Sequence, residues 1–310
     1  MSEATALHET EHEGMAATAE VAHGAASADS ELVAAPGSRR MRWAQWWAVT
    51  RGEVARQILR RRAIGALGLA LLPVLMFSAW ALFSASFGDP SVGDSRLMYA
   101  VIYQGFILNL VIFFGSVVIF STLVRREMRD RTLHYHFLSP VRREVLLLGK
   151  YAGGVITAWI LFGLSTLVSY ALCFTPFLSQ APVELQGFFF DGPGFAHAGS
   201  YLLVTALAAL GYGAVFVFLA MFFKNPVIPA LAVFGWEAAN FLLPPALKKI
   251  SVIHYLVSLL PVPVPEGPFA MLSEIPPPWI AVPALLALSA VLVGLAAWKF
   301  RRQEILYGED

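Results

Sequence analysis

Six long apolar segments, at roughly 63–87, 98–124, 151–176, 200–223, 226–245 and 279–299, constrain this chain more than any other feature. A bilayer core about 30 Å thick is crossed by roughly 20 apolar residues of helix, and every segment meets or approaches that length. Backbone at that depth has no water to bond, so such segments must be helical. Composition agrees, with 57% of the 310 residues hydrophobic and only 14% charged, against about one quarter charged in ordinary soluble domains. A soluble fold cannot bury that much apolar surface. The expected fold is an all-α integral membrane protein whose six transmembrane helices occupy 63–300, with a cytoplasmic stub at 301–310.

The fifth segment is the most interrupted, by Glu237, Asn240 and the pair Pro244-Pro245. Its start is well marked, because Asn225 can cap the first amides and Pro226 fits a first turn.

Basic residues set the orientation, since loops retained in the cytoplasm hold Lys and Arg. Arg39, Arg40, Arg42, Arg51, Arg56 and Arg60 to Arg62 precede the first segment, and Arg125, Arg126, Arg129, Arg131, Arg142, Arg143 and Lys150 lie between the second and third. Lys224, Lys299, Arg301 and Arg302 fall on the same side of a six-crossing path. The connection at 88–97 has only Arg96 and that at 177–199 has none, while Lys248-Lys249 run against the trend. Both termini are therefore expected in the cytoplasm.

Residues 1–38 carry Glu3, Glu9, Glu11, Glu13, Glu20, Asp29 and Glu31 with no Lys or Arg and no aromatic residue. Too little apolar surface is present to offset ordering, so this acidic tail is expected to be disordered. It lacks the basic start and apolar core of a signal peptide, so the first apolar segment should stay in the mature chain. His8, His12 and His23 are read as solvated.

Residues 39–62 combine Trp43, Trp46 and Trp47 with spaced arginines, the pattern of an interfacial amphipathic helix leading into the first span. The outer stretch 246–278 suggests a short helix before a proline-dense run. Too short to span, it is expected to lie on the surface or to enter the membrane partway against other protein.

No Gly-x-x-x-x-Gly-Lys-Ser/Thr loop is present, because Gly149-Lys150 is followed by Tyr151. The chain is therefore not expected to hold a nucleotide itself. Metalloprotease and serine-hydrolase motifs are also missing, and no catalytic residue or metal site is assigned. His134 and His136 are read as ordinary loop histidines, and the single Cys173, in an apolar run, as a packing residue.

The most informative segment is the loop 125–150. Ser139 can cap a helix that Pro140 opens, giving a short helix that runs along the inner membrane face and ends at the third span. Val141, Val145 and Leu148 should face inward, leaving Arg142, Arg143 and Glu144 to a partner. The run Thr132-Leu133, Pro140, Arg143, Leu148-Gly149-Lys150 resembles the Thr-Leu-Glu, Pro, Arg, Leu-Gly-Lys pattern in the first cytoplasmic loop of ABC-two-type transporter permeases. Arg131 stands where that family often has glycine, His134 where it has glutamate and His136 where it has an aliphatic residue.

The resemblance implies a permease subunit of an ABC exporter in the inner (cytoplasmic) membrane. It implies partnership with two copies of a separate ATPase subunit, which would hold ATP and Mg, and with a second permease subunit in a homodimer. Residues Ser139, Pro140, Val141, Arg142, Arg143 and Glu144 would be the coupling helix. A lipid-like, hydrophobic or polymeric substrate suits the apolar spans, and no nucleic acid partner is expected.

Glu237 is the one acid deep inside a segment, where a charge costs about 2.5–3.5 kcal/mol on insertion scales. It should avoid lipid and, together with Asn240 three residues on, bond to a neighbouring helix, line a substrate path or act at a dimer interface. Gln104 and Asn109 are its candidate partners. Two alternatives stand beside the exporter: a membrane-embedded enzyme on lipid-linked substrates using Glu237, and a mechanotransmitting or scaffold subunit.

Overall fold

The computed structural model describes residues 39–59, 63–84, 91–129, 143–223, 225–264 and 276–302. Among them every regular element is helical. The chain divides into two compact units, Met1–Gln45 and Trp46–Asp310. Of the first, the described part is the opening of helix α1 (Arg39–Leu59), and all contacts below belong to the second. The acidic tail lies outside the described residues.

Five helices are long and apolar enough to cross a membrane. The first is α2 (Ala63–Phe83). The second is a rod in which α3 (Val92–Ile102) passes through a π-helical stretch, Tyr103–Ile112, into α4 (Phe113–Arg129). The others are α5 (Arg143–Phe174), α8 (Gly194–Ala220) and α12 (Pro278–Arg302). Two short helices, α6 (Phe177–Gln180) and α7 (Pro182–Gln186), lead from α5 towards α8. Helix α3 starts sharply because Ser91 and Asp94 form a capping box, Asp94 N donating to Ser91 Oγ at 3.1 Å and Ser91 N to Asp94 Oδ2 at 3.3 Å, which meets amides the helix leaves open.

Helix α8 is the hub, packing against α4, α5 and α12, while α2 packs against α5. The close approach of α4, α5 and α8 depends on two glycines. A Cβ on Gly154 would stand 2.7 Å from Phe120 Cε1, and one on Gly213 would stand 2.5 Å from Phe120 Cζ, so the Phe120 ring fills a slot cut into both neighbours. Polar groups in the interior find partners between helices: Tyr99 Oη donates to the Thr166 carbonyl at 3.0 Å, and Tyr103 Oη to that of Tyr201 at 3.0 Å. Such bonds meet the requirement that buried polar groups be paired where no water competes.

The fifth expected segment differs from the rest. Helix α9 (Val227–Ala238) has 12 residues, about 18 Å at 1.5 Å per residue, well short of a bilayer core. It begins as expected, Val227 N donating to Asn225 Oδ1 at 3.0 Å. It ends at Ala238 and gives way to a 3-10 turn (Asn240–Leu242), α10 (Pro245–Lys248) and α11 (Val252–Val257). The helix expected after residue 246 is thus two short pieces. Helix α11 wedges between α8 and α12: a Cβ on Gly211 would meet Val252 Cγ1 at 2.8 Å and Leu285 Cδ1 at 3.1 Å.

Two contacts fix which helix ends lie together. Lys299 Nζ sits 3.5 Å over the Phe222 ring just past α8, and Arg301 Nη1 donates to Glu144 Oε1 at 3.1 Å. The end of α12, the end of α8 and the start of α5 therefore share one end of the bundle.

Candidate functional site

Of the six residues expected to form the coupling helix, Ser139, Pro140, Val141 and Arg142 lie outside the described residues. Arg143 opens α5, and Glu144 stands in its first turn. Instead of ending where the third span begins, the helix runs unbroken from Arg143 to Phe174. Its inward face is also shifted by a residue or two. Leu148, expected inward, is exposed, whereas Leu146 and Leu147 are buried.

That packing is specific. Gly149 and Gly153 are one turn apart, and a Cβ on either would lie 2.9 Å from α1, at Val49 Cγ1 and Glu53 Cβ respectively. Small residues at this spacing let two helices come close. Thr50 Oγ1, buried in the seam, shares its one proton between the Trp46 carbonyl at 2.8 Å and the Gly149 carbonyl at 3.1 Å. Lys150 Nζ lies 3.6 Å from Glu53 Oε2, and both side chains are buried. Gln57 Nε2 donates to the other oxygen, Glu53 Oε1, at 3.1 Å. A buried charge pair is destabilising to break, so Glu53 and Lys150 tie α1 to the helix that emerges from the 130–142 loop. Leu148-Gly149-Lys150, noted in sequence as a motif, thereby gains a physical role for its second and third residues. Thr50 and Glu53 were not singled out from sequence, and Arg301 was read only as one of the charges that set the orientation. Glu53, the only acid among the arginines of α1, was the available signal.

Glu237 is buried at the end of α9. Its carboxylate accepts from Ser251 Oγ at 2.7 Å, from Val252 N at 3.1 Å and from Ile253 N at 2.9 Å. It closes the break in the fifth segment by supplying an acceptor to the open amides that begin α11, the role a capping side chain normally plays locally. Gln104 and Asn109 are not brought to it. They lie together in the π-helical stretch, where Asn109 Nδ2 donates to the Gln104 carbonyl at 2.8 Å, and Gln104 Oε1 is buried with no hydrogen bond. Asn240 Nδ2 is likewise buried without a hydrogen-bond partner, and the residue opens the 3-10 turn after α9 rather than continuing its face.

Both oxygens of Glu237 are occupied by donors fixed in the fold, an arrangement suited to holding two helix ends together. Among the described residues no three His, Cys, Asp or Glu side chains are grouped to hold a metal; His134 and His136 lie outside them. Cys173 is buried, its Sγ 3.6 Å from the Ser95 carbonyl.

The profile of the family described as ABC-2 family transporter protein matches residues 57–236, more than half of the chain and the stretch that holds the glycine seam, the Glu53-facing Lys150 and the hub helix. No curated protein matches the chain. With several helices able to cross a membrane and a family match over most of them, the chain belongs to the ABC-2 family of transporter proteins and is a membrane permease of an ABC transporter.

Proposed function

We propose that this permease is the force-receiving subunit of an exporter, coupled through residues 139–144 to a separate ATPase subunit. The observation that carries the proposal is the seam of α1 on α5. The helix that leaves the loop is bonded at Thr50–Gly149 and Glu53–Lys150 to α1, and at Glu144–Arg301 to the end of α12. A push on the loop would therefore reach α1 through this seam, and α12 where it packs along α5.

The path of the chain supports six crossings with both ends in the cytoplasm. Phe222 and Lys299 share one end of the bundle, so the chain between them must cross to the other end before α12 can return. Helices α9 to α11 supply that crossing as a broken segment, with Glu237 covering its open amides. The arginine-rich flanks then fall on the cytoplasmic side, and Trp43 and Trp47, both exposed, suit α1 to the membrane interface.

A complete transporter has two such permeases and two ATPase subunits, which bind ATP and Mg, in the inner membrane. The exported species is lipid-like, hydrophobic or polymeric. The three donors on Glu237 weigh against its use as a catalytic acid or base. Affinity purification of the tagged chain from its native membrane tests the proposal. A P-loop ATPase should co-purify in equal number with the permease, and recovery of the permease alone would count against it.

A further inference from the structure

At the end of the bundle opposite Glu144 and Arg301, α3 and α8 begin beside each other, Tyr99 and Tyr201 stacking edge to face with ring centroids 5.0 Å apart. His197 and Tyr201 are four residues apart in α8 and so share one face. His197 is 8% exposed and Tyr201 1%, yet His197 Nδ1 and the Tyr201 hydroxyl have no hydrogen-bond partner. Buried polar atoms are rarely left unpaired, and here two of them lie one turn apart on the face of α8 that meets Tyr99 of α3. Arg96, in the second turn of α3, stands three residues before Tyr99 and so nearly on its face, as His197 stands four before Tyr201, and the contact of the Tyr99 and Tyr201 rings sets these two faces against each other.

Arg96 is partly exposed and makes no hydrogen bond or ion pair with any described residue. Two acids of the neighbouring helices have partners of their own. Asp94 caps its own helix through Ser91, and Glu184 Oε1 accepts from Val92 N at 3.3 Å. The amino ends of α3 and α8 also point to this end, and their dipoles favour negative charge.

We propose that Arg96, His197 and Tyr201 form a binding site for an anionic group, a phosphate or carboxylate, received at this end of the bundle. The guanidinium supplies paired donors to such an oxyanion, the Tyr201 hydroxyl a further one, and His197 a donor in the tautomer or charge state that carries a proton on Nδ1. Phe190 and Phe195, whose rings are 5.7 Å apart, are both exposed beside the site and give an apolar rim. The anion is thus the head of an amphiphile or a free ion, and its place in export rests on the transport function proposed above.

Binding is measured without ATP, on the full chain with whatever subunits co-purify, in phosphatidylcholine nanodiscs. Two probes are titrated: inorganic phosphate, and a short-chain phosphatidic acid compared with phosphatidylcholine of the same chain length. Saturable binding of phosphatidic acid alone supports an amphiphile head, and binding of both supports a site for the free anion. Arg96→Gln should weaken binding at least about tenfold, as expected for losing a charge-assisted bond. Arg96→Lys should recover much of the loss, and Tyr201→Phe, which keeps the buried ring, should weaken it several-fold. Absence of binding by either probe, equal binding of the zwitterionic lipid, or an affinity that Arg96→Gln and Tyr201→Phe both leave unchanged in folded protein would overturn the proposal. An ATPase that fails to co-purify bears on transport and leaves this outcome untouched.

Discussion

Glu53 of α1 and Lys150 of α5 face each other across a buried seam, Oε2 and Nζ 3.6 Å apart, at the point where the chain returns from the loop that the family pattern marks. Breaking a buried pair typically costs about 3–5 kcal/mol, and Glu53 keeps Arg56 Nη1 at 3.9 Å and Gln57 Nε2 at 3.1 Å when Lys150 is removed, so the lower end of that range is expected. Glu53→Ala and Lys150→Ala should each lower the unfolding temperature of the purified protein markedly. The doubly substituted protein should lose less than the sum, because the two side chains share one contact that either substitution alone already removes. Strict additivity in a double-mutant cycle would mean that the pair does not couple the two helices.

The exposed pair Glu144–Arg301 should behave differently. Its side chains remain open to solvent, and such pairs contribute about 0–1 kcal/mol. Arg301→Ala is expected to shift thermal stability little at any salt concentration, and a large loss would mean that this contact holds α12 in place.

Glu237→Ala leaves Ser251 Oγ, Val252 N and Ile253 N without their acceptor. Each buried group left unpaired costs about 1–3 kcal/mol. The substitution should therefore be among the most destabilising in the chain, and should open the α9–α11 break to limited proteolysis in detergent. Ser251→Ala removes one bond and one donor together, and should cost about 1 kcal/mol. Equal effects of the two substitutions would show that the carboxylate does not cap α11.

Gly213→Ala places a methyl group against the Phe120 ring. Overpacking of this kind costs about 1–3 kcal/mol, and Phe120→Leu should restore part of it by vacating the slot. Labelling of Cys173, which is buried, provides the readout: a maleimide should react only as the bundle opens, and at a lower temperature in the Gly213→Ala protein.

Much of the bundle was legible because spanning helices are written in runs of apolar residues, and five of the six runs are single long helices. The Asn225-Pro226 start of α9 was legible for the same local reason. Its early end at Ala238 was not, since Glu237 turns to amides that lie 15 and 16 residues ahead. Nothing local gives that distance. The face of α5 that packs was misplaced because periodicity identifies an apolar stripe, whereas Gly149 and Gly153 decide which side another helix can approach. Arg96 and the pair His197 and Tyr201 come from two helices about 100 residues apart in sequence, and only the contact of the Tyr99 and Tyr201 rings reveals that the two helix starts adjoin.

The most direct test of coupling through this loop is the rate of ATP hydrolysis by the purified complex in lipid. It is compared between the unaltered chain and one carrying Arg142→Ala, Arg143→Ala and Glu144→Ala together. Coupling through residues 139–144 predicts that the altered complex loses most of its substrate-stimulated hydrolysis, or falls apart on purification, while the permease itself still unfolds cooperatively near its original temperature. Hydrolysis and transport at undiminished rates in the altered complex would contradict the account.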